Sequence, residues 1–197
     1  MTSHEVGLYL YDGLFVNILG CEFDLCRKEG MIINIHEGNC NVKDNWIVSQ
    51  STTDESIIDI RTPSTLKYRL NIINNLIGCT EGHADKMGIS IGRTSALYYK
   101  SNVYIVGNTI KNFAGATPLN YGIYVDRGRY CTINDNSVLG CTTADIYFAP
   151  DIQGILNNNL IDKLNFVIYQ GTTMWAYSNM AGTITKAIAG TYIGDIN

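Results

Sequence analysis

Ile105-Val106-Gly107-Asn108-Thr109-Ile110 and Ile133-Asn134-Asp135-Asn136-Ser137-Val138 each place an asparagine three residues after one apolar side chain and two before another. The frame returns at Ile72 to Asn75 to Ile77 and at Leu156 to Asn159 to Ile161, with a weaker copy at Ala176 to Asn179 to Ala181. Successive asparagines lie 33, 28, 23 and 20 residues apart (108−75, 136−108, 159−136, 179−159). A constant frame at a variable interval fits a coil that stacks on itself and sends insertions out as loops. An asparagine repeated at a bend can bond the next one and the backbone groups that the bend leaves unpaired, and it tolerates left-handed dihedrals. The first two coils lack the frame, with Leu19 and Gln50 nearest in register.

A second element precedes it: a short alternating strand running into a polar turn. Its copies are Leu8-Tyr9-Leu10, Ile33-Asn34-Ile35, Ile58-Asp59-Ile60, Ile89-Ser90-Ile91, Ile123-Tyr124-Val125, Ile146-Tyr147-Phe148 and Val167-Ile168-Tyr169. The two-residue period of a strand puts the outer pair on one face and the middle residue on the other. The expectation is an all-β fold, a right-handed parallel β-helix of about seven coils with an asparagine ladder, in a single domain over 1–197.

Composition agrees: 19 Gly, 13 Tyr and 3 Pro in 197 residues, with 46% hydrophobic and 16% charged side chains, is enough apolar material for one core. A net charge of −4 with no basic block argues against nucleic acid as a partner. Every apolar run is much shorter than the roughly 20 residues of a membrane helix, so no membrane insertion is expected. Six cysteines (Cys21, Cys26, Cys40, Cys79, Cys131, Cys141) form no CxxC pair and no zinc-spaced cluster with histidine, and read as free, buried thiols. Glu81-Gly82-His83-Ala84-Asp85 holds three potential ligands, but a solvated loop is the reading adopted; no metal and no cofactor are expected.

The repeat resembles that of the right-handed parallel β-helix superfamily, which includes pectate lyases, polygalacturonases and bacteriophage tailspike depolymerases. The resemblance spans residues 6 to 186 and rests on the repeat, with no catalytic signature. It implies a protein that acts on carbohydrate. Two departures matter: the chain begins inside a coil at Val6 and ends at Ala187-Ile188-Ala189 as if starting another strand, and no amphipathic helix closes either end. A longer protein or an oligomer would cover those ends. Tailspikes are parallel trimers, and with no secretion signal read, the resemblance implies a homotrimer on a virion tail that binds a bacterial surface polysaccharide and depolymerises it. A bacterial lyase or hydrolase fragment, which would be extracellular, and a structural or adhesive β-helix without chemistry are the alternatives.

Stacked in register about 4.8 Å apart, the outward residues form columns. The first reads Tyr9, Asn34, Asp59, Ser90, Tyr124, Tyr147, Ile168; the second reads Tyr11, His36, Arg61, Gly92, Asp126, Ala149, Gln170. A third, at the turn, includes Glu37, Arg93 and Arg127. Rings for the apolar faces of sugars and forked donors for carboxylates and hydroxyls suit a polysaccharide groove. Hydrolysis needs two carboxylates across the bond, which makes Asp126, Asp59 and Glu37 the catalytic candidates. Arg93, Arg127, Arg61, Tyr124, Tyr147 and His36 are the candidates for holding substrate. A lyase would instead use an arginine as base, and an arginine is normally fully protonated.

Overall fold

The computed structural model describes residues 5–50, 56–61, 68–80, 86–92, 102–113, 118–126, 130–148, 153–168, 173–177, 180–188 and 191–193. Among them there is no helix, and the strands follow one another in a repeating order. The first coil holds β1 (Leu8–Leu19) and β2 (Glu22–Cys26), the second β3 (Met31–Lys43) and β4 (Trp46–Ser49), and the third β5 (Ser56–Arg61), β6 (Tyr68–Ile73) and β7 (Leu76–Cys79). Then come β8 (Met87–Ile91), β9 (Asn102–Val106) and β10 (Thr109–Asn112), followed by β11 (Tyr121–Val125), β12 (Tyr130–Asn134) and β13 (Ser137–Val138). The last are β14 (Ala144–Phe148), β15 (Gln153–Asn157), β16 (Leu160–Ile168), β17 (Thr173–Tyr177), β18 (Met180–Ile188) and β19 (Thr191–Ile193).

Each strand pairs in parallel with its counterpart one coil on, producing three ladders. The chain is a right-handed parallel β-helix. Long β1 and β3 run through the corner between the first and second ladders, and β16 and β18 run through the corner between the third and the first.

Alternation decides the inside. In the first ladder Ile33, Ile60, Ile91 and Val125 follow one another in register and are sealed from solvent. In the second, Val42, Ile72, Ile105, Ile133 and Leu156 do the same; in the third, Ile47, Ile77, Ile110, Val138 and Ile161. Each buried aliphatic side chain contributes about 1.5–3 kcal/mol relative to its exposed state, and the columns form one continuous core. The ladders approach so closely at one corner that Gly122 has no room for a side chain: a Cβ there would press on Val138 and lie 2.7 Å from the Asp145 carbonyl oxygen.

The asparagine ladder is present, and it reaches one coil nearer the N-terminus than expected. Asn45, Asn75, Asn108, Asn136 and Asn159 are buried and bonded side chain to side chain at 2.9–3.0 Å. In the second coil the rung is Asn45, not Gln50, and Val42 and Ile47 flank it in the same frame. In the first coil Cys21, not Leu19, holds the position: its N–H donates to Asn45 Oδ1 at 2.9 Å. The left-handed residue is not the rung itself but the one before it: Gly20, Asp44, Asn74, Gly107, Asp135 and Asn158 all have φ between 52° and 67°. One such residue turns the chain from the second ladder into the third, and Gly, Asn and Asp adopt that conformation at least cost. Asn179 lies outside the described residues.

Two register expectations change. In the second coil the first-ladder strand is Met31-Ile32-Ile33, so Ile32 stands opposite Asp59, and Asn34, rather than His36, stands opposite Arg61. Near the C-terminal end Leu164, Asn165 and Phe166 pair with Ile146, Tyr147 and Phe148, so Asn165, rather than Ile168, stands opposite Tyr147. In both places an unbroken strand carries the chain through a corner, so the polar runs His36-Glu37-Gly38-Asn39 and Asp162-Lys163 lie within β3 and β16 instead of ending them.

Candidate functional site

On β5, Asp59 and Arg61 are two residues apart and therefore share the outward face of the first ladder. Asp59 is nonetheless only 4% exposed. Its Oδ2 accepts from Arg61 Nε at 2.6 Å and its Oδ1 from Ser90 Oγ, one coil on, at 2.7 Å. Arg61 Nη2 donates to Glu29 Oε1 at 3.2 Å, and Glu29 is also buried. Two buried carboxylates thus fix one guanidinium whose side chain is about a third exposed. Burial works against the charge of Arg61, but its hydrogen bond to Asp59 and the negative charges of Asp59 and Glu29 outweigh it and hold its pKa above the usual value. Arg61 stays protonated and acts as an oriented donor; proton abstraction is not open to it.

Further along the face, Tyr124 and Tyr147 stack with centroids 4.8 Å apart and planes 5° from parallel. Tyr121 packs against them at 5.1 and 5.3 Å. The stacking distance equals the rise between coils, so the rings lie along the helix axis. Rings stacked this way occupy each other's faces and offer a ligand their rims and hydroxyls. Asp126 follows β11, partly exposed, its N–H bonded to the Ile91 carbonyl at 3.0 Å. Ile91 in turn pairs with Ile60, the neighbour of Arg61, which places Asp126 in the column of Arg61 rather than that of Asp59.

Of the residues expected at the site, Asp59 and Arg61 touch each other, Tyr124 and Tyr147 touch each other, and Asp126 shares their face. His36 and Glu37 lie on β3, with side chains outside the described residues, and Arg93 and Arg127 are outside them altogether. Glu29 was not anticipated. It precedes β3, where no alternating pattern marks which way its side chain points, and only the placement of Arg61 reveals it.

Five cysteines are buried as expected, but Cys21 is exposed. Burial pushes the Cys40 and Cys131 thiols up to about 12 and raises Cys26 and Cys79 as well, which leaves all four as inert core groups. The 81–85 loop lies outside the described residues; among those residues no three His, Cys, Asp or Glu side chains come together as a metal site. Nor is any described helix long and apolar enough to cross a membrane.

Fold and face together define a parallel β-helix with an outward arginine held by two acids beside a tyrosine stack. Compared with known proteins, the chain matches no family model, no curated protein and no solved structure.

Proposed function

We propose that this chain is a polysaccharide-recognising β-helix of the bacteriophage tailspike type, working as a homotrimer on a virion tail and binding a bacterial surface polysaccharide along the outer face of its first ladder. The observation that carries the reading is Arg61. A guanidinium aligned by Asp59 and Glu29 before any ligand arrives keeps further N–H groups beyond those two bonds and is about a third exposed, and such a fork suits the oxygen-rich surface of a glycan. The tyrosine hydroxyls of the neighbouring stack extend the same polar row.

In the depolymerising form of this reading, hydrolysis needs a second carboxylate roughly 5 Å from Asp126 for retention or 6.5–9.5 Å for inversion; Glu37 lies on β3, three coils from Asp126 and so roughly 14 Å away along the axis, and does not serve as its partner. Asp59 then orients Arg61, because both of its oxygens are already engaged. A lyase route passes to Arg93 or Arg127, since Arg61 is kept as a cation. The same engagement of Asp59 favours a second reading, an adhesive β-helix that binds without cleaving. A bacterial lyase or hydrolase is separated from the tailspike reading by oligomeric state.

Incubation of the purified chain with a panel of capsular and O-antigen polysaccharides tests this. Shortened chains with new ultraviolet absorbance indicate a lyase, and shortened chains without it a hydrolase. Binding without shortening selects the adhesive reading, and no binding to any member rejects polysaccharide recognition. Asp126→Ala is expected to leave the fold intact and to weaken binding or cleavage.

A further inference from the structure

The third ladder carries a second aromatic feature on its outer face. Trp46 opens β4 beside inward-pointing Ile47 and is 43% exposed. Phe113 follows β10 two coils further on, anchored by its N–H to the Cys79 carbonyl oxygen at 2.9 Å. The two rings meet with centroids 6.0 Å apart and planes only 23° from parallel. Between their strands lies Gly78. A Cβ at that position would sit 2.5 Å from Phe113 Cε2 and 3.0 Å from Cδ2, so the missing side chain is what lets the phenyl ring settle on the backbone. Lys111, exposed and in register with Gly78, holds its Nζ 5.2 Å from the centre of the Phe113 ring.

This is a supported platform rather than a stray surface aromatic. A glycine seats one ring, that ring abuts the indole, and a cation lies over the phenyl ring with N–H groups to donate. Trp46 stacks on Phe113 yet keeps 43% of its surface in water, whereas Tyr124 and Tyr147 are only partly exposed. A sugar ring offers an apolar C–H face to an aromatic surface and oxygen substituents at its rim. With a lysine at that rim, the complementary substituent is an anionic one.

We propose that Trp46, Phe113 and Lys111 form a second glycan subsite, away from the first-ladder face, which takes an acidic sugar unit with its C–H face on the indole and its carboxylate toward Lys111. The assignment rests on the reading of the chain as a polysaccharide binder.

The test uses the full chain, with Trp46→Ala, Lys111→Met and Asp126→Ala, titrated with acidic and neutral polysaccharides by calorimetry, each variant also being run in sedimentation velocity. Trp46→Ala is expected to weaken an acidic polysaccharide about tenfold. Lys111→Met should weaken it about threefold and flatten its salt dependence, sedimentation being unchanged in both. Binding that survives Trp46→Ala but falls with Asp126→Ala overturns the subsite and leaves the first-ladder reading standing. Absence of binding by the unaltered chain overturns both. A neutral polysaccharide held equally tightly with the same dependence on Trp46 contradicts the acidic assignment, and a change in sedimentation on Trp46→Ala makes the ring pair a subunit contact instead.

Discussion

Two columns of asparagine run along this solenoid, one inside and one outside. The inner column, Asn45 to Asn159, is sealed between the second and third ladders. Each internal rung's Oδ1 accepts from both the main-chain N–H and the side-chain amide of the coil before, and its own amide reaches a main-chain carbonyl of that coil, as Asn108 does to Ile72 at 2.8 Å. The outer column, Asn17–Asn41–Asn71, lies on the outward face of the second ladder, with amide-to-carbonyl contacts of 2.6 Å. Residue type and coil-by-coil repetition are the same, yet the energetics differ. Breaking an inner rung strands buried donors and acceptors that no water can reach, whereas water replaces a lost outer rung at little cost. Hydrogen-bond geometry alone therefore does not identify the structural ladder; burial does.

The largest separation of the two columns is expected from Asn108→Ala, which leaves the Asn75 amide and backbone N–H without their acceptor and should cost about 3 kcal/mol in chemical denaturation. A loss below about 1 kcal/mol would mean that the inner amides are no better than the outer ones. Next comes Gly122→Ala, which forces the corner apart with the ladder untouched. About 1–3 kcal/mol is expected, and a negligible loss would show that the coils are not tightly held there. Cys21→Asn sharpens the comparison in the other direction by offering a sixth inner rung above Asn45, with a gain of about 0.5–1 kcal/mol read as a raised unfolding midpoint. Asn41→Ala, in the middle of the outer column, should change stability by no more than about 0.5 kcal/mol.

How much of this was legible in the sequence follows from what each residue's neighbours reveal. Asn75, Asn108, Asn136 and Asn159 stand out because a turn residue precedes each of them and apolar partners flank it at fixed offsets. Asn45 has the same flanks, but β3 runs on through the polar His36-Glu37-Gly38-Asn39 stretch without ending there, and counting from the wrong strand centre hides it. That slip of two residues moved His36 out of, and Asn34 into, the row of Arg61. In β16 the slip is one of three residues, which puts Asn165 where Ile168 was expected opposite Tyr147. The outward columns disclosed which residues share a face, but not that Asp59 is buried. Its burial depends on Ser90, Arg61 and Glu29 closing around it from three different parts of the chain. Nor could spacing show that Tyr124 and Tyr147 turn their faces to each other; that requires the rotamers, not the register.

Equilibrium unfolding of Asn108→Ala beside Asn41→Ala, under one set of conditions, tests most directly the claim that a buried amide ladder holds the coils in register and leaves the outer faces free for recognition. The account predicts a gap of about 2 kcal/mol or more, with the inner variant the weaker. Equal losses, or a larger loss at Asn41, would contradict it.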